Sequence, residues 1–176
     1  MRIIAGTHRG ARIAAPKGVA TRPTGDRARE AAFNLIGPVD GAAVLDLFAG
    51  SGALGLEALS RGAASVTFVE SDKGACRTIA DNLAKLKLTG ARVTCGDAIW
   101  SLRRETRTYD LVLVDPPYEA WSELEPKLAE HLPRVLAPGG LLLVETGSRT
   151  EPQLPLPIRT SRRYGSARLT LFEHPF

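Results

Sequence analysis

The fold is decided by residues 44–55, VLDLFAGSGALG, where an apolar strand pattern runs into a glycine-rich turn that opens a helix. Gly50, Gly52 and Gly55 have the G-x-G-x-x-G spacing, which allows a backbone to approach a bound nucleotide closely. Glu70 ends the next predicted strand, where an acidic residue commonly binds a ribose. The segment therefore predicts a nucleotide-type cofactor site at the carboxyl edge of a parallel sheet.

Asp46, just before the glycine turn, indicates which cofactor to expect. A carboxylate there would repel the pyrophosphate of a dinucleotide, but it would attract the ammonium and sulfonium charges of S-adenosylmethionine, directly or through water. We therefore expect S-adenosylmethionine. A dinucleotide-dependent oxidoreductase and a glycine turn without any ligand remain as alternatives.

The chain around this segment alternates β-rich apolar runs with amphipathic helical patterns, which is typical of a parallel sheet covered by helices. Strands are predicted at residues 43–48, 65–69, 92–95, 109–114 and 140–144, and helices near 26–36, 52–61, 72–87, 97–103 and 121–132. A C-terminal antiparallel hairpin is predicted from residues 158–163 and 167–173. We expect a Rossmann-like α/β fold with a seven-stranded, mostly parallel sheet and helices on both faces.

Two further polar segments follow predicted strands, and ligands of open α/β sheets bind beyond the carboxyl ends of the strands. Asp97 follows the third strand and could accept a hydrogen bond from an adenine amine. It could equally cap the helix that begins there, and the two roles are compatible. Asp97 is thus a candidate third carboxylate of the cofactor site, beside Asp46 and Glu70.

The other segment is Asp115-Pro116-Pro117-Tyr118, directly after the fourth strand. Its two prolines remove two backbone donors and stiffen the turn, which leaves the Pro116 carbonyl free to accept a hydrogen bond. The Asp115 carboxylate is a second acceptor, and Tyr118 can stack on a planar base. The turn therefore predicts a receptor for an exocyclic NH2 group, with Asp115, Pro116 and Tyr118 as catalytic candidates, unless it is a turn without function.

The composition is that of a folded globular chain: 176 residues, 44% hydrophobic and 24% charged. The 23 Lys and Arg exceed the 19 Asp and Glu by only four, but the basic residues concentrate at the two ends. Residues 1–25 contain no acidic residue and five basic ones: Arg2, Arg9, Arg12, Lys17 and Arg22. This basic arm either binds phosphates of a nucleic acid or is an edge hairpin kept soluble by charge.

Two units are expected from this pattern: a basic N-terminal arm with a small β-hairpin at residues 1–25, and a catalytic domain at residues 26–176. Cys76 and Cys95 predict no disulfide framework, and the three dispersed histidines have no metal-ligand spacing. Apolar stretches are too short for a signal peptide or a membrane span. We expect a cytoplasmic monomer without a metal or a membrane partner.

Residues 46–52, DLFAGSG, together with Asp115-Pro116-Pro117-Tyr118, resemble the motifs of class I S-adenosylmethionine-dependent amino-methyltransferases. Within that class, residues 2–6, 9–10, 21–24 and 29–34 resemble the bacterial 16S ribosomal RNA guanine-N2 methyltransferases that act on guanine 966. The resemblance covers nearly the whole chain. It implies a class I methyltransferase fold and, as a partner, 16S ribosomal RNA in a small-subunit particle.

The same resemblance assigns two sets of residues. The cofactor set is Asp46, Phe48, Gly50, Gly52, Glu70, Asp97 and Asp115, and the RNA-contacting set is Arg2, Arg9, Arg12, Arg22 and Arg29. Two other functions stay open. A DNA adenine methyltransferase shares the Asp-Pro-Pro-Tyr turn, although the chain has no recognisable target-recognition domain, and a non-catalytic RNA-binding module would explain the basic ends alone.

Overall fold

The computed structural model describes residues 1–17 and 25–176. The helices are α1 Asp26–Ile36, α2 Ala53–Ser60, α3 Lys73–Leu86, α4 Ala98–Arg104 and α5 Trp121–Val135, with a 3₁₀ turn at Tyr118–Ala120. The strands are β1 Ala43–Leu47, β2 Ser65–Glu70, β3 Ala91–Cys95, β4 Tyr109–Val114, β5 Leu136–Gly147, β6 Ile158–Tyr164 and β7 Ala167–Glu173. The segment at residues 18–24, with Arg22, lies outside the described residues.

All seven strands of the described chain form one sheet in the order β3-β2-β1-β4-β5-β7-β6. Strands β1 to β5 are parallel, whereas β7 runs antiparallel between β5 and β6. The chain leaves β1 toward one edge through β2 and β3, and then returns to the other side of β1 with β4. The order therefore reverses between β1 and β4, which is where ligands bind in open α/β sheets.

Each face of the sheet is covered by helices because successive strand residues point to opposite sides. In β4, Leu111 and Leu113 join the core under α1, α2 and α3, and Val112 and Val114 join the core under α4 and α5. All four side chains are buried. The predicted seven-stranded sheet with helices on both faces is thus confirmed.

Two elements extend beyond their predicted ends. β5 begins at Leu136 rather than at residue 140. Its pairing with β4 shifts register between Tyr109 and Leu111, and this irregularity allows Pro138, Gly139 and Gly140 to lie within the strand. α5 continues to Val135 although Pro133 lies inside it. A proline fits helical φ and forfeits one hydrogen bond, so it does not have to end the helix.

The N-terminal arm packs against the domain through a reduced form of the predicted hairpin. Its strands meet in a single antiparallel bridge, Arg2 to Arg12, and Ile3 N–H donates to the Ala11 carbonyl at 2.9 Å. The side chains of Ile3 and Ile13 are buried in the core shared with α1 to α3. Burial of these two residues attaches the described part of the arm to the helices α1, α2 and α3 on one face of the sheet.

A buried carboxylate on α2, Glu57, fixes the path of the arm. Its Oε1 accepts the N–H of Ile4 at 2.8 Å and its Oε2 accepts the N–H of Ala5 at 3.0 Å. The same carboxylate forms ion pairs with Arg61 at 2.8 Å and with Arg29 at 3.5 Å. One side chain therefore connects the arm, α1 and α2.

Arg29, a member of the predicted RNA-contacting set, is fully buried, so that assignment is wrong for this residue. Its guanidinium pairs with Glu57, donates to Asp26 at 3.0 Å and donates to the Arg2 carbonyl. An arginine enclosed in this way is unavailable to phosphates. It is a structural cation that helps hold the arm against α1.

Asn82 of α3 holds the other end of the arm. Its side chain accepts the N–H of Ala14 at 3.0 Å and donates to the Ala14 carbonyl at 3.1 Å. His8 Nε2 lies 2.8 Å from the Leu86 carbonyl at the end of the same helix. The arm is thus attached to both α2 and α3.

The expectation that Cys76 and Cys95 form no disulfide framework is wrong for this pair, because the fold brings the two residues together. Cys76 of α3 and Cys95 of β3 form a disulfide with their Cα atoms 5.9 Å apart. Across residues 1–17 and 25–176, no cluster of three or more metal-binding side chains occurs. In the same part of the chain, no helix is long and apolar enough to cross a bilayer.

We expect Glu57→Gln to lower the free energy of unfolding by about 3–5 kcal/mol, because it leaves the buried Arg29 guanidinium without its full charge partner. Hydrogen exchange at the Ile4 and Ala5 amides should also become faster. The matched control is Glu123→Gln, which removes an exposed 3.6 Å pair with Lys127 and should cost less than about 1 kcal/mol. Equal losses in chemical denaturation of the two variants would contradict the role of Glu57.

Candidate active site

The turns that follow β1, β2, β3 and β4 meet at one edge of the sheet, and the space beside them is called the crevice below. Register places Leu47 of β1 beside Val69 of β2 and Val114 of β4, so the residues after these strands are neighbours. Ala49 N–H donates to the Val69 carbonyl at 3.0 Å, which ties the first turn to the second strand. The predicted convergence of the polar turns therefore occurs.

The glycine turn needs its glycines for two different reasons. Gly50 and Gly52 have φ of 58° and 81°, which side chains rarely adopt, and Gly52 is the N-cap of α2. Gly55 has an ordinary φ, but a Cβ on it would stand 2.3 Å from Cε1 of Phe68. The third glycine thus allows α2 to pack closely on β2.

Phe48 shows a local strain that its sequence position does not reveal. It has φ of 58°, and a bulky residue in this left-handed region is an outlier that the surrounding structure must hold in place. Phe48 joins the end of β1 to the glycine turn. Strain of this kind concentrates at ligand sites, in agreement with its assignment to the cofactor set.

Glu70 fastens the glycine turn to the end of β2. Its Oε1 accepts the N–H of Gly50 at 2.8 Å, and its Oε2 accepts the N–H of Asp72 at 2.7 Å. Each carboxylate oxygen can accept more than one hydrogen bond, so both retain capacity for hydroxyl donors. A Cβ built on Gly50 meets no atom within 4 Å, which leaves room for a ligand over the turn.

Asp46 lies beneath the turn and is almost completely buried, with 1% of its surface exposed. Its Oδ2 accepts the N–H of Gly55 at 3.0 Å. Burial raises the pKa of Asp46 to about 8, against the lowering effect of the Gly55 hydrogen bond and with a further rise from the Glu70 charge. The Asp46 carboxyl group therefore favours the protonated form at neutral pH.

Asp97 is the N-cap of α4, as one of its two predicted roles requires. Its Oδ2 accepts the N–H of Trp100 at 2.8 Å, and the side chain stays exposed at the crevice. Asp72 caps α3 in the same way through Ala75 N–H at 2.8 Å. The cap leaves the other Asp97 carboxylate oxygen able to accept a hydrogen bond.

The turn after β4 brings an acceptor and an aromatic ring to the crevice. Asp115 is half-buried and Pro116 is buried, whereas Tyr118 opens the 3₁₀ turn and is half-buried. The Tyr118 hydroxyl donates to Oε1 of Glu145 on β5 at 3.0 Å, and the Glu145 side chain is 5% exposed. This hydrogen bond fixes the ring orientation.

The predicted RNA-contacting arginines divide into two groups. Arg2, Arg9 and Arg12 are exposed on the arm. The bridge places Arg2 directly opposite Arg12, and like charges paired across strands are unfavourable in the absence of a counter-charge. Arg29 is buried as described above. The arm thus presents Arg2 and Arg12 as an exposed pair of like charges.

Glu145 and Glu57 are the important polar residues that the sequence does not single out. Glu145 sits within an apolar strand, and Glu57 sits within a helix whose residues are all buried. An isolated acidic residue inside an apolar element is a usable signal, because a charge is buried only when it has partners. That signal predicts a partner without identifying it.

The strand order, the switch point and the glycine turn between carboxylates define a Rossmann-like class I methyltransferase fold. The solved structure of the Escherichia coli protein named "Putative methyltransferase yhhF" has a TM-score of 0.86 to this chain. It is 35% identical, and the match covers 99% of this chain and 98% of that one. The family model described as "Conserved hypothetical protein 95" matches residues 1–173, and the chain belongs to that family.

Two sequence relatives carry more specific names. "Ribosomal RNA small subunit methyltransferase D" of Escherichia coli strain K12 is 46% identical over 119 residues, which are 67% of this chain. The match covers only 60% of that relative's length. The protein of the same name from Haemophilus influenzae is 38% identical over 157 residues, with 83% of this chain and 78% of the relative covered.

The raised pKa of Asp46 predicts a pH dependence of stability. Between the ordinary aspartate pKa of 3.8 and about pH 8, the folded chain keeps a proton that the unfolded chain releases. The free energy of unfolding should therefore fall as pH rises through this window, by up to about 1.4 kcal/mol per pH unit from this group. Asp46→Asn keeps the shape of the side chain and removes its titration. The free energy of unfolding of this variant should therefore fall less steeply with pH, by up to about 1.4 kcal/mol per pH unit. If denaturant titrations gave the same pH dependence of the unfolding free energy for the wild type and Asp46→Asn, a raised pKa of Asp46 would be refuted.

Proposed function

We propose that this protein transfers the methyl group of S-adenosylmethionine to the N2 amine of guanine 966 in 16S ribosomal RNA of the small subunit. The observation that carries the proposal is the position of the Asp115-Pro116-Pro117-Tyr118 turn. It follows β4, which pairs in parallel with β1, so acceptors suited to an amine stand beside the glycine turn at the switch point. The names of the sequence relatives support ribosomal RNA as the substrate.

The crevice fits the chemical groups of the cofactor, which supplies a methyl group bound to a positively charged sulfur. Glu70 has spare acceptor capacity for ribose hydroxyls, and the space over Gly50 admits the ligand. Asp97 accepts from the adenine amine with the oxygen that does not cap α4. Phe48 and Gly52 shape the turn around the ligand.

Asp46 contributes charge from below the turn. Its pKa of about 8 reflects burial without a counter-charge. A cationic ligand lowers that pKa, because a nearby positive charge favours the carboxylate. The residue thereby selects a positively charged cofactor over a pyrophosphate.

Transfer to the guanine amine requires its nitrogen lone pair to point at the methyl carbon, at roughly 3 Å. The amine is a poor nucleophile because its lone pair is delocalised into the ring. The Asp115 carboxylate and the Pro116 carbonyl accept hydrogen bonds from its two N–H groups, which favours a pyramidal nitrogen and disperses the positive charge that develops. The electron pair of the broken S–CH3 bond would stay on sulfur, and the methylated aminium is acidic enough to release one proton without a strong base. Tyr118, held by Glu145, stacks on the base and offsets part of the cost of unstacking it from the RNA.

The basic arm binds the RNA around the target base. Arg2, Arg9 and Arg12 are exposed, and the arm that carries them is fixed by Glu57 and Asn82. Positively charged side chains in fixed positions neutralise phosphates and set the orientation of the RNA. We include Arg22 in this surface on the sequence resemblance. The enzyme acts as a cytoplasmic monomer on a small-subunit particle and uses no metal.

The test of this function is nucleotide mapping by mass spectrometry of small-subunit RNA from cells lacking the protein. Position 966 should carry an unmodified guanine, and purified protein with S-adenosylmethionine should restore the methyl group. RNA with inosine at that position has no exocyclic amine and should accept none. A methylated position 966 in the deletion strain, or transfer to inosine, would exclude the proposal.

Substitutions in the turn after β4 should distinguish residues that bind the cofactor from residues that act on the base. Asp115→Ala should abolish methyl transfer while cofactor binding stays within about tenfold, because the residue acts mainly on the base. Tyr118→Ala should lose stacking worth roughly 1–3 kcal/mol. Tyr118→Phe keeps the ring and loses only the hydrogen bond to Glu145, so its defect should be smaller. Single-turnover rates and calorimetry measure the two effects, and near-normal turnover of Asp115→Ala would refute its role.

A further inference from the structure

The tip of the C-terminal hairpin reaches the same edge of the sheet as the crevice. β7 runs antiparallel to β5, and its first residue, Ala167, pairs with Gly147, the last residue of β5. Ser148 N–H donates to the Ser166 carbonyl at 2.8 Å. The turn between β6 and β7 therefore stands beside the ligand-binding turns and not at the opposite edge.

The tip also lies next to the proposed base-binding turn. A Cβ built on Gly147 would be 3.5 Å from the Tyr118 ring, so Tyr118 contacts the end of β5 that the hairpin adjoins. β4 and β7 are separated only by β5, which corresponds to about 10 Å across the sheet.

Three arginines surround the tip: Arg149, Arg162 and Arg163, here called the tip arginines. All three are exposed, and within residues 1–17 and 25–176 their side chains make no hydrogen bond or ion pair. Arg159, at the other end of β6, pairs with Glu173 at 3.8 Å. The unpaired arginines of the hairpin are thus the ones near the crevice.

The arrangement is unfavourable for the isolated protein. Arg163 stands directly opposite Arg168 in the β6–β7 register, and like charges in that position repel each other. The acidic side chain of Glu151 pairs with Arg168, at 3.7 Å, and with none of the tip arginines. Charges on an edge strand also prevent aggregation, but Arg149 lies outside the strands, in the segment after β5, where no edge needs protection.

We propose that the tip arginines bind phosphates of the substrate RNA beside the target base, as a second basic surface in addition to the N-terminal arm. This inference rests on the proposed function. The tip adjoins the end of β5 that contacts Tyr118 of the base-binding turn. The arm is attached instead to the helices α1, α2 and α3. The RNA is therefore held by two separate basic surfaces around the nucleotide that leaves its stack.

The test compares the triple variant Arg149→Ala, Arg162→Ala, Arg163→Ala with Arg159→Ala as the matched control. Substrates are small-subunit particles from cells lacking the protein, assayed at several salt concentrations. Three lost phosphate contacts should raise KM for the particle on the order of 100-fold at 0.1 M salt and reduce the log–log salt slope by about 2. Cofactor affinity in calorimetry and kcat should stay at wild-type values, and Arg159→Ala should match the wild type throughout.

A second variant, with lysine at the same three positions, keeps the charge and should recover most of the affinity and the salt slope. A triple alanine variant with the KM and salt slope of Arg159→Ala would overturn the inference while leaving the proposed function intact. A loss that lysine does not recover would also overturn it, because phosphate neutralisation needs only charge. Wild-type protein that transfers no methyl group to the particle would instead refute the proposed function itself.

Discussion

The Glu57 carboxylate is the interaction on which the arrangement of the N-terminal part depends. Removing a carboxylate from water costs several kcal/mol, and here two backbone N–H groups and two guanidinium groups offset that cost. The donors come from the arm, α1 and α2. If any one of these segments moves, a buried charge loses a partner. The arm, α1 and α2 therefore keep a single relative arrangement, and the exposed arginines of the arm occupy defined positions.

The parts of the fold that could be predicted are those in which local pattern and tertiary structure agree. Apolar runs predict β1 to β5, and seven strands follow once the two strands of the C-terminal hairpin are included. The convergence of Asp46, Glu70, Asp97 and Asp115 could also be predicted, because the carboxyl ends of parallel strands share one edge. The Asp72 and Asp97 caps follow from residue type at a helix start.

The remaining features depend on contacts between distant residues. Arg29 lies in a charged helical segment that is typical of an exposed face, and only Glu57, on another helix, explains its burial. The same holds for Glu145 and the Tyr118 hydroxyl, and for Cys76 and Cys95. Positive φ at Phe48 has no sequence signature, since the neighbouring glycines already account for the turn. Each of these features depends on which residues are close in space, and the order of residues along the chain does not give that information.

The hydrogen bonds from Gly50 and Asp72 to Glu70 are made entirely within the chain. The glycine turn is therefore ordered when the chain folds. The entropy cost of ordering it does not reduce the free energy of each binding event. An enzyme that exchanges a spent cofactor for a fresh one in every cycle then avoids rebuilding its binding loop each time.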